Sequence, residues 1–480
     1  MLLHSSRCAC AAFESTPRPL PQAPRRRYRR RSRKLKHVWN RNAIRELPLY
    51  RMPTDSGILQ SDRHCGRYPL RRIKGMQTWS RCNNVTLLPV SNIEIAMPQH
   101  APLQQDVLPP GVRARFVDDI NGLRMHILEA GYEGKNRPLV LLLHGFPELA
   151  FSWRKILPSL AAAGYYVVAP DQRGYGRTTG WDNNYDSDIA PWRMLNLVRD
   201  MLALVFTLGH RSVQAVVGHD AGSFVAAWCA LIRPDIFRCV AMMSAPFAGA
   251  PSLPIHGGRA VAPSTQDNIH DGLAALKRPR KHYQWYYSTR PANENMWKCP
   301  QGVHAFMRAY YHHKSADWKQ NQPFPLASWT ASELAKMPTY YIMDLNEGMA
   351  ETVANEMPLA SEIAANSWLP DHELAVYAEE YGRTGFQGGL QWYRCNTSGV
   401  NAAELQLFCG RTIDVPACFI AGKSDWGIYQ RPGGDMITMQ KHALTNMTGC
   451  HLVEGAGHWV QQEQPAQVSD LLVAFLREQQ

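Results

Sequence analysis

No apolar run in this sequence approaches the length of about 18 residues that a membrane-spanning helix requires. The opening decapeptide MLLHSSRCAC also lacks the apolar stretch of a secretory signal. Stable membrane insertion is therefore not expected. Paired cysteine spacing is missing too: eleven cysteines are scattered through 480 residues, and Cys8-Ala9-Cys10 is the one close pair. That pattern points to reduced thiols in an intracellular, cytoplasmic setting rather than to a disulfide framework. No Cys/His cluster has zinc-ligand spacing; His312 and His313 are adjacent, not four apart on one helical face, and read as ordinary surface. Neither a metal nor any other cofactor is expected.

Acidic residues are scarce only in the first fifth. Residues 1–100 carry about 20 Lys and Arg against about 5 Asp and Glu, roughly +15. The whole chain has a formal charge of +12, so the remainder is slightly negative and makes no electrostatic case for a nucleic-acid partner. The stretch RPLPQAPRRRYRRRSRKLKHVWNR has no sustained helical or strand period, and residues 1–109 read as a solvated, disordered basic tail. Its arginines also suit a mitochondrial presequence, although its amphipathic periodicity is weak. A start of translation at Met76 or Met97 is a further reading.

From Arg115 the texture changes. ARFVDD and LRMHILEAG flank Asn121-Gly122 as the arms of a hairpin. PLVLLLHG is a continuous apolar run, as a strand buried on both faces requires. A short helix and second buried strand in SWRKILPSLAAAGYYVVAP follow, then a helix in PWRMLNLVRDMLALVFTLG, then strands in SVQAVVGHD and FRCVAMMSAP. This alternation predicts an α/β fold with a mostly parallel, doubly wound sheet. It stops after Pro246. Residues 250–401 are rich in Trp, Tyr, Met and helix-forming polar residues, and read as a helical insertion between core segments 110–249 and 402–480. VPACFIAGKSDWG and CHLVEGAGHW resume the sheet, and AQVSDLLVAFLREQ closes with an amphipathic helix.

Gly218-His219-Asp220-Ala221-Gly222 falls between predicted strand and helix, in the Gly-x-nucleophile-x-Gly pattern of a nucleophile elbow that usually carries serine. A carboxylate there lies at the carboxyl edge of the sheet and faces helix-start N–H groups. Asp220 as a plain helix N-cap is the competing reading. A nucleophile of this class needs an acid and a histidine later in the chain, in that order. Asp425 follows one predicted strand in GKSDWG and His458 follows the last in GAGHW, so all three reach the same sheet edge. Asp414 is a weaker candidate acid because it precedes its strand. After PLVLLLHG, the N–H of Phe146 would join that of Ala221 in an oxyanion site.

The chain from about 110 to 480 resembles the epoxide hydrolases of the α/β-hydrolase fold in HGFPE, DQRGYGRT, GHDAG, KSDWG and GHWVQQEQP. KHYQWYYS and GFQGGLQWYR resemble the two cap segments that carry the family's paired tyrosines, which map onto Tyr283 and Tyr393. The resemblance implies that Asp220 opens the epoxide while the two phenols hold its oxygen. His458, oriented by Asp425, then activates a water that cleaves the resulting ester to a vicinal diol. It also suggests that Glu148 and His219 position that water, with packing and hydrogen-bonding roles equally open. The aromatic insertion predicts a small lipophilic substrate.

Dehalogenases share the Asp-His-Asp arrangement, but the halide-binding tryptophan or substrate-clamping arginines that follow their nucleophile are replaced by Ala221 and Phe224. Gln284-Trp285 supplies half of their His-Trp pair, which makes Trp285 a candidate for substrate positioning. An esterase would want a serine, and Ser223 falls three residues late, as first-turn filler of the helix. A receptor that binds ligand without turnover is the non-enzymatic alternative.

Overall fold

Asn121 and Gly122 turn the chain back on itself with φ of 51° and 82°, the pair of positive values that a tight type I′ hairpin needs. In the computed structural model, which describes residues 100–251, 265–431 and 435–479, this turn joins β1 (Val112–Ile120) to β2 (Leu123–Ala130) in antiparallel register. The basic N-terminal stretch and the Cys8/Cys10 pair lie outside the described residues. β3 (Leu139–Leu143), β4 (Tyr166–Pro170), β5 (Ala215–His219) and β6 (Val240–Met243) follow, each buried along its whole length. That is the burial expected of parallel strands covered on both faces. The crossovers carry α1 (Leu157–Ala162), α2 (Met194–Thr207) and α3 (Ala221–Ile232).

The chain then leaves the sheet. Between β6 and the last two sheet strands the longer helices are Gly302–Lys314, Asp371–Thr384 and Gln387–Thr397. Helical structure continues beyond residue 401, to Phe408. A two-stranded antiparallel ribbon of β7 (Arg280–His282) and β8 (Ile342–Asp344) interrupts the helices; three residues per strand are too few to leave an alternating signature in the sequence. β9 (Ala417–Gly422) and β10 (Met447–Val453) return to the sheet, whose order is β1-β2-β4-β3-β5-β6-β9-β10. All pairings from β4 to β10 are parallel. β10 is the edge, with alternating exposure to match.

The loop after β4, read in the sequence only as the motif DQRGYGRT, anchors the inserted segment. Asp171 accepts the N–H groups of Ala150 (2.8 Å) and Arg177 (3.0 Å) and pairs with His126 (2.8 Å). The loop so fixed receives the Trp392 indole N–H on the Arg173 carbonyl (3.0 Å) and the Arg383 guanidinium on the Gly176 carbonyl (2.8 Å). Gly174 and Gly388 meet backbone to backbone: a Cβ on Gly388 would fall 1.9 Å from the Gly174 carbonyl oxygen. Neither position has space for a methyl group.

His312 and His313 correct the sequence reading, because neither is surface. Every residue from Phe306 to Lys314 is buried. The His313 ring packs edge-on between Trp318 (4.5 Å) and Tyr340 (4.8 Å). Burial on all sides of a helix erases the periodicity that would have marked these positions as interior. Among the described residues no helix is long and apolar enough to cross a membrane.

Candidate active site

At the β5–α3 junction Asp220 adopts φ 51°, ψ −119°, a backbone region that non-glycine residues rarely enter. The turn is tight because its flanking glycines leave no room: a Cβ on Gly222 would lie 2.3 Å from the Leu143 carbonyl oxygen, and one on Gly145 would lie 2.4 Å from Asp220 Cβ. Asp220 stands at the N-cap position of α3, but its side chain makes no capping hydrogen bond. The N-cap reading therefore fails. Oδ1 instead accepts the Phe146 N–H at 3.1 Å, and Oδ2 lies 3.3 Å from His458 Nε2. Ala221 opens α3 directly behind the carboxylate. Burial pushes the Asp220 carboxyl up, but His458, Lys314 and His219 together hold it far below the usual carboxylate range.

His458 sits in the loop after β10, its Nδ1 3.2 Å from both oxygens of Asp425. Asp425 follows β9, and its Oδ1 also accepts the Gly427 N–H at 2.7 Å. Burial raises the Asp425 carboxyl, but His458, that amide and Lys314 bring it below its ordinary value. Asp414 lies elsewhere, exposed and bound to the hydroxyls of Thr412 and Thr445 (both 2.7 Å). The main chain at His458 is fixed from several sides. Its N–H donates to the Lys314 carbonyl (2.9 Å), and its carbonyl accepts from Ser244 (3.0 Å) and from His219 Nε2 (2.7 Å). Glu463 accepts the amides on either side, Gly457 and Trp459 (both 2.9 Å), and that of Ala316 (2.8 Å).

Glu148 and His219, both fully buried, form a layer beneath the triad. Glu148 Oε2 accepts the Gly145 N–H (2.9 Å) and faces His219 Nδ1 (2.5 Å), while Oε1 accepts from Gln461 (2.8 Å). Burial raises the Glu148 carboxyl, but the charge and hydrogen bond of His219 keep it below the usual value. The two nitrogens of His219 thus face a carboxylate and a carbonyl, neither of which can donate, so both nitrogens carry protons. His219 is an imidazolium: burial opposes its charge, and Glu148 outweighs burial.

Tyr283 opens the helix Tyr283–Tyr287, and Tyr393 lies on Gln387–Thr397. Their ring centroids are 6.0 Å apart, and the Tyr393 ring meets Phe146 edge-on at 5.5 Å. The Phe146 amide binds Asp220, so the Tyr393 ring packs on the same residue that holds the carboxylate. Burial, then the charge of Asp220, pushes both hydroxyls well above the usual tyrosine range and keeps them protonated. Trp285 is not part of this cluster; its ring packs on His270 (4.4 Å) and His282 (4.8 Å). The Ser223 hydroxyl is buried and donates to the Ala245 carbonyl (2.7 Å), tying α3 to the loop after β6. Among the described residues no cluster of His, Cys, Asp or Glu is arranged to hold a metal.

A strained carboxylate at a strand-helix elbow, with acid and histidine on the loops after the last two sheet strands, defines an α/β-hydrolase. Residues 138–465 match the alpha/beta hydrolase fold family. The chain is 33% identical to epoxide hydrolase A of Mycobacterium tuberculosis over 366 residues, covering 75% of this chain and 95% of that protein. A solved epoxide hydrolase from an endophytic Streptomyces superimposes with TM-score 0.61 at 31% identity, covering 77% of this chain and 96% of the other. For potato (Solanum tuberosum) epoxide hydrolase I the TM-score is 0.59 at 28% identity, covering 76% and 99%. The chain belongs to the epoxide hydrolase family.

Proposed function

We propose that this protein adds water to small lipophilic epoxides, giving vicinal diols, through an ester formed on Asp220. One observation carries the reading: the two oxygens of Asp220 are divided between the Phe146 amide and the His458 imidazole. Oδ2 is then the attacking atom, and Oδ1, already on an N–H donor, becomes the oxyanion. A carboxylate needs no base to attack a saturated carbon. The epoxide C–O bond breaks as the Oδ2–C bond forms, and the alkoxide takes a proton from Tyr283 or Tyr393. His458 removes a proton from water, with Asp425 stabilising the imidazolium. The resulting hydroxide attacks the ester carbonyl, whose oxyanion is held by the N–H groups of Phe146 and Ala221. Collapse breaks the ester C–O bond, and the leaving alkoxide takes the proton of the His458 imidazolium to complete the diol. The second proton of the water, released by the regenerated Asp220 carboxyl, returns to the phenolate. Glu148 and the cationic His219 hold the floor of the site and the His458 carbonyl.

In this reading residues 250–401 form a cap that brings the phenols over a core made of 110–249 and 402–480. An intracellular setting fits the free thiols of Cys229, Cys239, Cys299 and Cys395.

A single turnover in heavy-oxygen water tests the mechanism. The label is expected in the Asp220 carboxylate, with ordinary oxygen in the first diol; label in the first diol and none in the enzyme overturns it. Turnover of a haloacid in place of an epoxide would move the reading to a dehalogenase, and binding without turnover to a receptor. Removing one phenol should slow ring opening without stopping it. Tyr283→Phe and Tyr393→Phe are each expected to lower the rate of ester formation by about 10²-fold to 10³-fold, read by rapid quench. A variant that forms ester at the wild-type rate excludes that tyrosine as a proton donor.

A further inference from the structure

Lys314 ends the helix Gly302–Lys314 and is 3% exposed. Burying an ammonium is costly unless it is compensated, yet among the described residues no carboxylate lies within ion-pair distance of it. Four aromatic rings surround its Nζ instead: Tyr341 at 5.1 Å, Trp459 at 5.3 Å, Tyr310 at 5.6 Å and Tyr340 at 5.8 Å. Ring faces attract a cation without neutralising it. The main chain of the same residue is tied to the catalytic loop. The Lys314 carbonyl accepts the His458 N–H at 2.9 Å, and a Cβ on Gly457 would fall 2.6 Å from it. Burial pushes the Lys314 ammonium below its usual range, and the negative charges of Asp220, Asp425 and Glu148 oppose that push.

Counting charges shows why a cation belongs there. Glu148 is balanced by the His219 imidazolium. Asp220 and Asp425 remain, with His458 between them, and His458 must be neutral to take a proton from water. Two buried anions beside one imidazole would otherwise favour its protonation.

We propose that Lys314 is the counter-cation of the triad, a positioning charge that acts through Asp220 and Asp425 and keeps His458 unprotonated for the water step. The inference rests on the Asp-His-Asp mechanism proposed above. The groups facing Lys314 are Tyr310 and His313 on its own helix, Tyr340 and Tyr341 ahead of β8, and Asp220, Asp425 and Glu148 from the three core loops. Those facing His458 are Asp220, Asp425, Lys314 and His219, with Glu463 on its flanking amides.

Lys314→Met keeps an unbranched apolar side chain, one atom shorter, among the rings and removes its charge. Formation and hydrolysis of the ester are measured separately, in single turnovers between pH 5 and 9, for wild type, Lys314→Met and Lys314→Arg. For Lys314→Met the acidic limb of ester hydrolysis is expected to move up by about one pH unit, a loss of about fivefold at the wild-type midpoint. The alkaline plateau should change by less than about twofold. Lys314→Arg should restore the limb. Should Lys314→Met fail to fold by circular dichroism, Lys314→Gln gives the same readout. An equal loss at every pH with the limb unmoved would leave Lys314 a packing residue and overturn the proposal. Absence of any ester in the wild type would instead overturn the mechanism, and the proposal with it.

Discussion

Asp220→Ala should abolish diol formation, lowering kcat/KM by at least about 10⁴-fold. The variant removes the atom that, in the proposed mechanism, bonds to the substrate carbon. It leaves His458 facing a methyl group, with the Phe146 N–H aimed at no acceptor. Water activated by His458 could attack the epoxide directly, but the phenols and the imidazole are arranged around an ester carbon that would no longer exist. The fold should survive. The elbow conformation is imposed by the close contacts of Gly145 and Gly222, and alanine fits the same turn with a strain of about 1–3 kcal/mol, comparable to that of the aspartate. Loss of one carboxylate also reduces the excess negative charge of the buried cluster. Diol yield by chromatography beside a thermal melt checks both halves; turnover at the wild-type rate would remove Asp220 from the chemistry.

His458→Gln should separate the two half-reactions. Attack by Asp220 needs no general base, so the variant should consume about one equivalent of epoxide per enzyme and then stop. Steady-state turnover is expected to fall by about 10⁴-fold or more, with the substrate mass retained on the peptide that contains Asp220. Intact-protein mass spectrometry before and after mixing reads this directly. A variant that turns over slowly without accumulating ester would show that His458 takes part in ring opening, and the order of steps would have to change.

Asp220 and Asp425 were legible because each follows a strand whose apolar run announces it, as does Phe146 after PLVLLLHG. His458 instead follows the half-exposed edge strand β10 and was marked by its glycine-bounded loop. PLVLLLHG, SVQAVVGHD and VPACFIAG are buried on both faces, and a chain that buries such runs side by side brings the residues after them to one edge. What surrounds the triad was not legible. Lys314 looks like one more surface charge at the end of a polar helix, and its role emerges only when Tyr310, Tyr340, Tyr341 and Trp459, from three separate segments, close around it. Glu463 in QQEQP resembles solvated filler until the chain folds back and offers it three amides. Its position a few residues beyond a loop histidine was the one available signal. Glu148 and His219 were found through resemblance; the sequence could not reveal that a carbonyl and a carboxylate together force a proton onto both nitrogens of His219. Trp285 was suggested only by its likeness to half of a dehalogenase His-Trp pair. It lies two residues after Tyr283, a rotation of about 200° on a helix, and its ring packs with His270 and His282.

The contact between Gly174 and Gly388 sets a limit on how this enzyme can breathe. Main chain rests on main chain there, a few residues from Tyr393, with the Trp392 indole fastened to the adjoining carbonyl. The phenol of Tyr393 is accordingly mounted on the core with almost no compressible material between them. Traffic of substrate and product has to pass where side chains, which can swing aside, make the seal.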